Sequence, residues 1–341
     1  MNKKKKSATV YDVAKLAGVS PSTVSRFLNR TTFVSNSKSK SIESAIKTTG
    51  YKPNFQMQQG DNRRSMTIGV LVQHPDSPYT STILNDMEKT LMAKGYSLVM
   101  ASGHWQSKLE MHALEYLLKS KVDGIIIITG NLDIELIRNA AKSVPIVTVG
   151  CYDIQDENIC SLQLDNVMGG YIATLHLLQQ GHKNIAHIKG LSTQPDAGSR
   201  YEGYKKALLE ANIKVNRKLI KQGDFGMEKG YQQTIELIDS NIYFSAIFAA
   251  NDLTAYGAIK ALHDRGLRVP EDVSVVGFDD IATSLYFTPA LTTLRQPIGE
   301  IGTVCANSIL NLVVKGDYEA RMPPIDLVIR QSTSSIYGKD H

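Results

Sequence analysis

Hydrophobic positions change their spacing along this chain. Over the first fifty residues they recur three and four apart, and from Thr67 they gather into short continuous runs separated by amphipathic stretches. The first regime predicts helices. Thr9 precedes an apolar-periodic run with Asp12 three residues on, a capping-box spacing with an acid at the positive end of the helix dipole. Val10, Val13, Ala14, Leu16 and Ala17 form its expected apolar face, and Gly18 is placed to close it in a left-handed conformation. Ser20 then caps a second helix with Pro21 at its first position, where a missing N–H costs nothing. That helix buries Val24, Phe27 and Leu28 and keeps Ser22, Thr23, Ser25 and Arg26 on its other side. Ser35 is the expected cap of a third helix over 36–49, ended by Gly50, with Val34 as a hydrophobic staple. A short helix, a glycine turn and a second helix with a polar face make a helix-turn-helix pattern.

After Tyr51-Lys52-Pro53 the stretch NFQMQQGDNRRS is polar and Gln-rich, and reads as a linker. The second regime follows. Strands are expected at 67–73, 97–102, 124–129 and 146–150, with helices at 83–94, 109–120 and 134–142 between them. A second series continues with helices at 166–180, 199–211, 227–239 and 253–265, and strands at 185–190, 218–222, 246–251 and 273–278. Buried β-branched runs alternating with amphipathic helices indicate parallel sheets covered on both faces. The expected class is therefore α/β: a three-helix headpiece followed by two doubly wound parallel-sheet subdomains with a cleft between them.

Charge sharpens the division. Residues 1–65 hold 13 Lys and Arg against 3 Asp and Glu, so the whole-chain totals of 38 and 33 leave the remainder with 25 against 30. A basic head on a mildly acidic body is the electrostatic footprint of phosphate contact. The run Lys3–Lys6 adds either a solvated tail or a loose backbone contact. No apolar run approaches the roughly 18 residues of a membrane span, and the basic, polar start lacks a signal-peptide core, so a cytoplasmic, nucleoid-associated protein is expected. Cys151, Cys160 and Cys305 lack metal-ligand spacing and read as reduced core thiols; no metal and no cofactor is expected.

Ligands of open parallel sheets bind beyond the C-terminal ends of the strands. Polar residues at those ends are Gln73, Asn251, Asp252, Asp279 and Asp280, with Arg200, Tyr79, Trp105 and Phe225 in adjoining loops or helix starts. Carboxylate, amide and guanidinium groups beside aromatic platforms suit a polyhydroxylated or heterocyclic small molecule. Each residue also has a purely structural use. Asn251, Asp252 or Asp280 can cap a helix, Arg200 can pair with Glu202, and Trp105 can simply pack.

These residues resemble the lactose-repressor family of bacterial transcription regulators over roughly Thr9 to Ile336. The signatures are TVYDVAKLAGVSPSTVSRFLN (9–29), YKPN (51–54), AIFAANDLTAYGAIKAL (246–262), VPEDVSVVGFDD (269–280) and PALTTLRQP (289–297). The resemblance implies a headpiece over 1–53, a hinge over 54–65 and a type I periplasmic-binding-protein-like core over 66–341. Within that core, 66–164 with 296–324 would form one subdomain and 165–293 with 325–337 the other, joined by crossings near 163–166, 292–297 and 325–330. A helix around Ile298–Val314 would complete the first. It further implies that Pro21 and Ser22 read variable bases, that Arg26 contacts a base, and that Ser20, Thr23 and Asn29 touch phosphates. Thr9, Tyr11, Ser25, Asn54 and Met57 would complete the DNA-facing set. Arg200, Asn251 and Asp279 match polar effector-binding positions and Phe225 an aromatic wall, with Gln73, Tyr79, Trp105 and Gln296 as further pocket positions.

The chain departs from the family at two places. The hinge alanine and the wedge leucine three residues later are Met57 and Gly60 here. Gly lowers helix propensity by roughly 1 kcal/mol relative to Ala and cannot wedge between bases, so either Met57 supplies the wedge or the DNA is bent little. Gly150-Cys151 replaces an acid or arginine that many members carry near the ligand. The expected function is a dimeric repressor of a near-palindromic double-stranded DNA operator, under control of a sugar or glycoside, with a purine or nucleoside as the alternative effector. The dimer is expected because the sequence stops a few residues after its last strand, without a leucine-heptad tail. A metabolic enzyme with a fused headpiece finds no support in G-x-G-x-x-G, P-loop, H-E-x-x-H or G-x-S-x-G patterns, and His182 and His187 read as structural. A transport-type binding protein is disfavoured by the headpiece and the missing signal peptide.

Overall fold

The computed structural model describes residues 8–29, 33–51, 64–150, 152–316 and 322–336. Lys3–Lys6, the hinge residues Asn54, Met57 and Gly60, and Cys151 lie outside that set, as does the side chain of Asn29. The chain forms two units, 1–63 and 64–341.

In the first unit, α1 (Val10–Ala17), α2 (Pro21–Asn29) and α3 (Asn36–Thr49) close around Val13, Ala14, Val24, Ile42 and Ala45. The capping box is formed: Thr9 N–H and Oγ1–H donate to Asp12 Oδ2 at 2.8 and 2.7 Å, and Asp12 N–H donates back to Thr9 Oγ1 at 3.4 Å. Gly18 ends α1 at φ 67°, which only a residue without Cβ adopts cheaply. Ser20 Oγ accepts from Thr23 N–H at 3.2 Å, opening α2 as expected. Two expectations are corrected. Leu16 is half exposed, because its position on α1 turns it away from the α2 and α3 side that buries Val13 and Ala14. Ser35 occupies the cap position of α3 but makes no capping bond, and its Oγ pairs instead with Ser37 Oγ at 3.4 Å.

The second unit carries two sheets. Strands β1 (Thr67–Val72), β2 (Ser97–Ser102), β3 (Gly124–Ile128), β4 (Ile146–Gly150) and β5 (Ile159–Gln163) run parallel in the order β2-β1-β3-β4-β5. Helices α4 (Pro78–Met92), α5 (Ser107–Lys119) and α6 (Ile134–Ala141) connect them. The other sheet runs β11-β10-β9-β8-β6-β7, from β6 (Ile185–Lys189), β7 (Ile220–Gln222), β8 (Ala246–Ala249), β9 (Ser274–Asp279), β10 (Thr292–Arg295) and β11 (Asp326–Val328); only β11 is antiparallel. Its helices are α7 (Asn166–Gln179), α8 (Pro195–Glu210), α9 (Met227–Asp239) and α10 (Asp252–Asp264). The chain leaves the first sheet after Gln163, returns after Arg295 to lay α11 (Ile298–Lys315) against α4, and joins the second sheet again at Asp326.

β5, β10 and β11 are not among the expected strands. Each has three to five residues with polar positions, too short for a periodicity to register. α4 and α8 begin at Pro78 and Pro195, earlier than expected, each with proline in the first turn. His182 is structural: Nδ1 meets Ser245 Oγ and Nε2 meets Ser334 O, both at 3.0 Å. His187 is buried with Nδ1 at 2.9 Å from Phe248 O, stacked on Tyr201, Tyr204 and Phe248, and burial pushes its pKa down to about 4. Cys160 and Cys305 are free, buried thiols in one core cluster.

Candidate functional site

The headpiece presents one polar face. On α2, Pro21, Ser22 and Arg26 are exposed and Thr23 and Ser25 half-buried, while Val24 faces the core. Ser20 Oγ lies 2.8 Å from both Ser22 Oγ and Thr23 Oγ1, gathering three hydroxyls at the start of the helix. Unpaired N–H groups and the dipole at that end favour a phosphate. Tyr11 on α1 is 71 % exposed, and Thr9 is exposed although engaged in its capping box.

The second unit holds a cavity of about 370 Å³ at the C-terminal ends of the strands, opened by Gln73 after β1, Thr129 after β3, Phe225 after β7, Asn251 after β8 and Asp279 closing β9. Tyr79, Trp105 and Arg200 also line it. Seven of the eight expected effector residues therefore converge there. Gln296 does not: it lies behind Asp279, donating from Nε2 to Asp279 Oδ1 at 2.7 Å.

Arg200 organises the site. It is buried; Nε donates to Asn166 Oδ1 at 2.8 Å, Nη1 to Ala250 O at 2.5 Å, and Nη2 stands 3.8 Å from Asp279 Oδ1. Its Cζ sits 3.7 Å from the centre of the Phe278 ring and 5.6 Å from that of Phe225, a cation held between two aromatic faces. Glu202 is not its partner; that carboxylate pairs with Lys205 at 2.7 Å. Asp279 and Asp280 have φ values of 114° and 56°, a strained pair that turns one carboxylate to the cavity and the other away from it. Burial pushes Asp279 up to about 6, against the pull of Arg200 and the Gln296 hydrogen bond.

The remaining strand-end acids have structural work. Asp280 binds Arg295 Nε at 2.7 Å and Arg330 Nη2 at 2.6 Å. Asp252 is fully buried and accepts from Ile281 N–H, Ser284 Oγ–H and Thr293 Oγ1–H at 2.9, 2.6 and 2.5 Å, tying α10 to the segments after and beside β9. Asn251 does both jobs: Oδ1 caps α10 by accepting from Thr254 N–H at 2.9 Å, Nδ2 donates to Phe225 O at 3.0 Å, and the residue still lines the cavity. Trp105 N–H donates to Gln73 Oε1 at 2.7 Å, which fixes the amide of Gln73.

Sequence reasoning missed Gln194, Asp196 and Asp224 in the lining, and Glu110 behind it. Asp196 lies four residues before Arg200 on α8, hence on the same face; starting that helix at 199 hid the relation. Glu110 is fully buried, accepts from Asn131 N–H at 2.8 Å and is pushed up by its burial. Among the described residues no group of acids, histidines and cysteines could hold a metal ion, and no helix is long and apolar enough to cross a membrane.

Asp252 carries a pH prediction. Burial, with Asp279 adding repulsion, raises it to about 7 from an ordinary 3.8, so the folded state favours the protonated form. Its contribution is complete below about pH 4 and is lost as pH rises through 7. The stability of the wild type relative to Asp252→Asn should therefore fall over that window, by at most about 1.4 kcal/mol per pH unit. His176 and His187, shifted downward, act in the opposite sense but are common to both proteins and cancel in the difference. Parallel melting curves for the two proteins against pH would exclude this account.

Comparison with known proteins follows the same division. Residues 9–54 match the family model of bacterial regulatory proteins, lacI family, and residues 65–331 match that of periplasmic binding proteins and the sugar binding domain of the LacI family. The HTH-type transcriptional repressor PurR of Histophilus somni (strain 129Pt) is 33% identical over 333 residues, 96% of this chain and 100% of that protein. The lac repressor dimer bound to operator and the anti-inducer ONPF superposes with a TM-score of 0.81 at 30% identity, covering 97% of this chain and 100% of that one. A transcriptional regulator CelR–cellobiose complex matches with a TM-score of 0.71 at 31% identity, over 95% and 99% of the two chains.

Proposed function

Since the chain belongs to the lacI family of bacterial regulatory proteins, and is thus a DNA-binding repressor under small-molecule control rather than an enzyme, we propose that its effector is a sugar or glycoside held in the cavity around Arg200 and Asp279. The observation that carries this is the pairing of a buried guanidinium from α8 with a buried carboxylate at the end of β9, flanked by Asn251 and the Phe225 ring. Adjacent charged donor and acceptor groups match vicinal hydroxyls, which both accept and donate. The CelR relative, with its cellobiose, offers a parallel. Phe225, Tyr79 and Trp105 also provide flat apolar faces, which favours a purine or nucleoside as the second reading. Anisotropy of labelled operator DNA, titrated against sugars, glycosides and nucleosides, tests both; a response to nucleosides alone selects the second.

In this reading residues 1–53 bind DNA, 54–65 link, and 66–341 sense the effector, in the cytoplasm. Ser20, Pro21, Ser22, Thr23, Ser25, Arg26 and Asn29 face the operator with Thr9, Tyr11, Asn54 and Met57. A ligand that changes the relation of the core subdomains alters the spacing of the two linkers in a dimer, and so the fit to DNA. A two-fold dimer places two recognition helices roughly 34 Å apart, which requires a near-palindromic site. Sedimentation should give twice the chain mass of 37.5 kDa. A concentration-independent tetramer would sink that expectation.

A further inference from the structure

The lining of the cavity is unbalanced in charge. Asp76, Asp196, Asp224 and Asp279 line it with one guanidinium, Arg200, which donates to Asn166 and Ala250 and stands 3.8 Å from Asp279. Asp76 and Asp224 are exposed; of the two that are not, Asp279 has a cation within 4 Å and Asp196 has none among the described residues. Asp196 Oδ1 accepts from Asn166 Nδ2 at 3.1 Å, and burial pushes its pKa up, with Arg200 opposing. It also reaches toward the first sheet: a Cβ built on Gly150, the last residue of β4, would stand 3.4 Å from Asp196 Oδ2. The bare backbone of Gly150 leaves this carboxylate at the junction of both sheets' strand ends.

Two buried amides complete the picture. Gln73 and Gln194 are 3 % and 6 % exposed, both line the cavity, and the Nε2 of each has no hydrogen-bond partner. Buried donors without partners are rare and costly, and with each Nε2 shielded from solvent a ligand oxygen reaches it once the side chain turns. The cavity thus offers amide donors and anionic acceptors beside a single guanidinium whose charge is partly met by Asp279.

We propose that the cavity selects by charge: it takes a neutral or amine-bearing polyhydroxylated ligand and excludes phosphorylated or carboxylated ones, with Asp196 as the residue that sets the exclusion. This rests on the cavity being the effector site. A hydroxyl or ammonium donates to Asp196 and Asp279 while ring or hydroxyl oxygens accept from Gln73 and Gln194. A phosphate or carboxylate would meet an excess of like charge, Asp196 and Asp279 against Arg200 alone, where water has been displaced.

The test uses the full chain and matched probes: glucose, glucosamine, glucose 6-phosphate and glucuronate, the same substitutions on cellobiose and ribose, and adenosine against its monophosphate. Thermal shift finds the binders and calorimetry ranks them. Expected are neutral and amine members that bind, with anionic counterparts at least about 30-fold weaker. Asp196→Asn, or Asp196→Ser if the amide variant does not fold, should shrink that ratio to below about fivefold. An anionic member that binds as well as its neutral counterpart overturns charge selection and leaves the effector site standing. An unchanged ratio in both Asp196 variants overturns the assignment to that residue. Silence across every series overturns the sugar and nucleoside readings of the cavity, and this proposal with them.

Discussion

Asp279→Asn and Arg200→Lys are expected to fold, to bind operator DNA, and to leave that binding unresponsive to the effector. The loss should be large because both groups are buried and charged. A hydrogen bond to a charged group is worth about 1.5–3 kcal/mol, so each change should weaken the ligand tenfold or more. The conservative variants matter. Alanine at 200 would strand Asn166 Oδ1, Ala250 O and the Asp279 carboxylate without their cation, and would confound binding with folding. Asparagine at 279 keeps an acceptor for Gln296 Nε2, and so isolates the charge. The readouts are ligand affinity by calorimetry and operator affinity with and without ligand, with melting temperature as the folding control. Undiminished ligand binding in both variants would reassign the cavity.

Arg26→Ala should relax sequence choice on DNA and cost on the order of 1–3 kcal/mol of specific binding, because it removes the exposed side chain proposed to read base edges. Its structural cost should be small. Arg26 is exposed on α2, while Val24, on the opposite side of the helix, makes the core contact. Binding to a scrambled duplex should fall far less than binding to operator. Equal losses would mean that Arg26 meets only phosphates. Deletion of Lys3–Lys6 supplies the contrast, since it should weaken both duplexes alike and flatten the salt dependence.

The local signals in the chain were enough for the headpiece and for the alternation of strands and helices. Thr9 with Asp12, Gly18, and Ser20 before Pro21 act within one turn of backbone, so their consequences are written at the positions themselves. The apolar runs of β1, β3 and β4 name themselves because they are buried on both faces. Strands β5, β10 and β11 escaped because pairing to a neighbour, not composition, makes them strands. Side-chain roles at the strand ends divided the same way. That Gln73, Arg200, Asn251 and Asp279 meet at one cavity follows from where parallel strands end, which the pattern already marks. Whether a given acid faces ligand or protein does not follow from it. Asp279 and Asp280 are adjacent, yet one opens on the cavity and the other is held between Arg295 and Arg330; their φ values and partners from β10 and beyond β11 make that choice. Gln296 was expected in the pocket and stands behind it, and Asp196 was overlooked and stands within it. Sequence by itself determined the elements and the edge of the sheets where chemistry gathers, because propensity and periodicity are local. Only the tertiary structure decided which polar groups remain without partners at that edge, because satisfaction of a buried donor or carboxylate depends on residues far away in the chain.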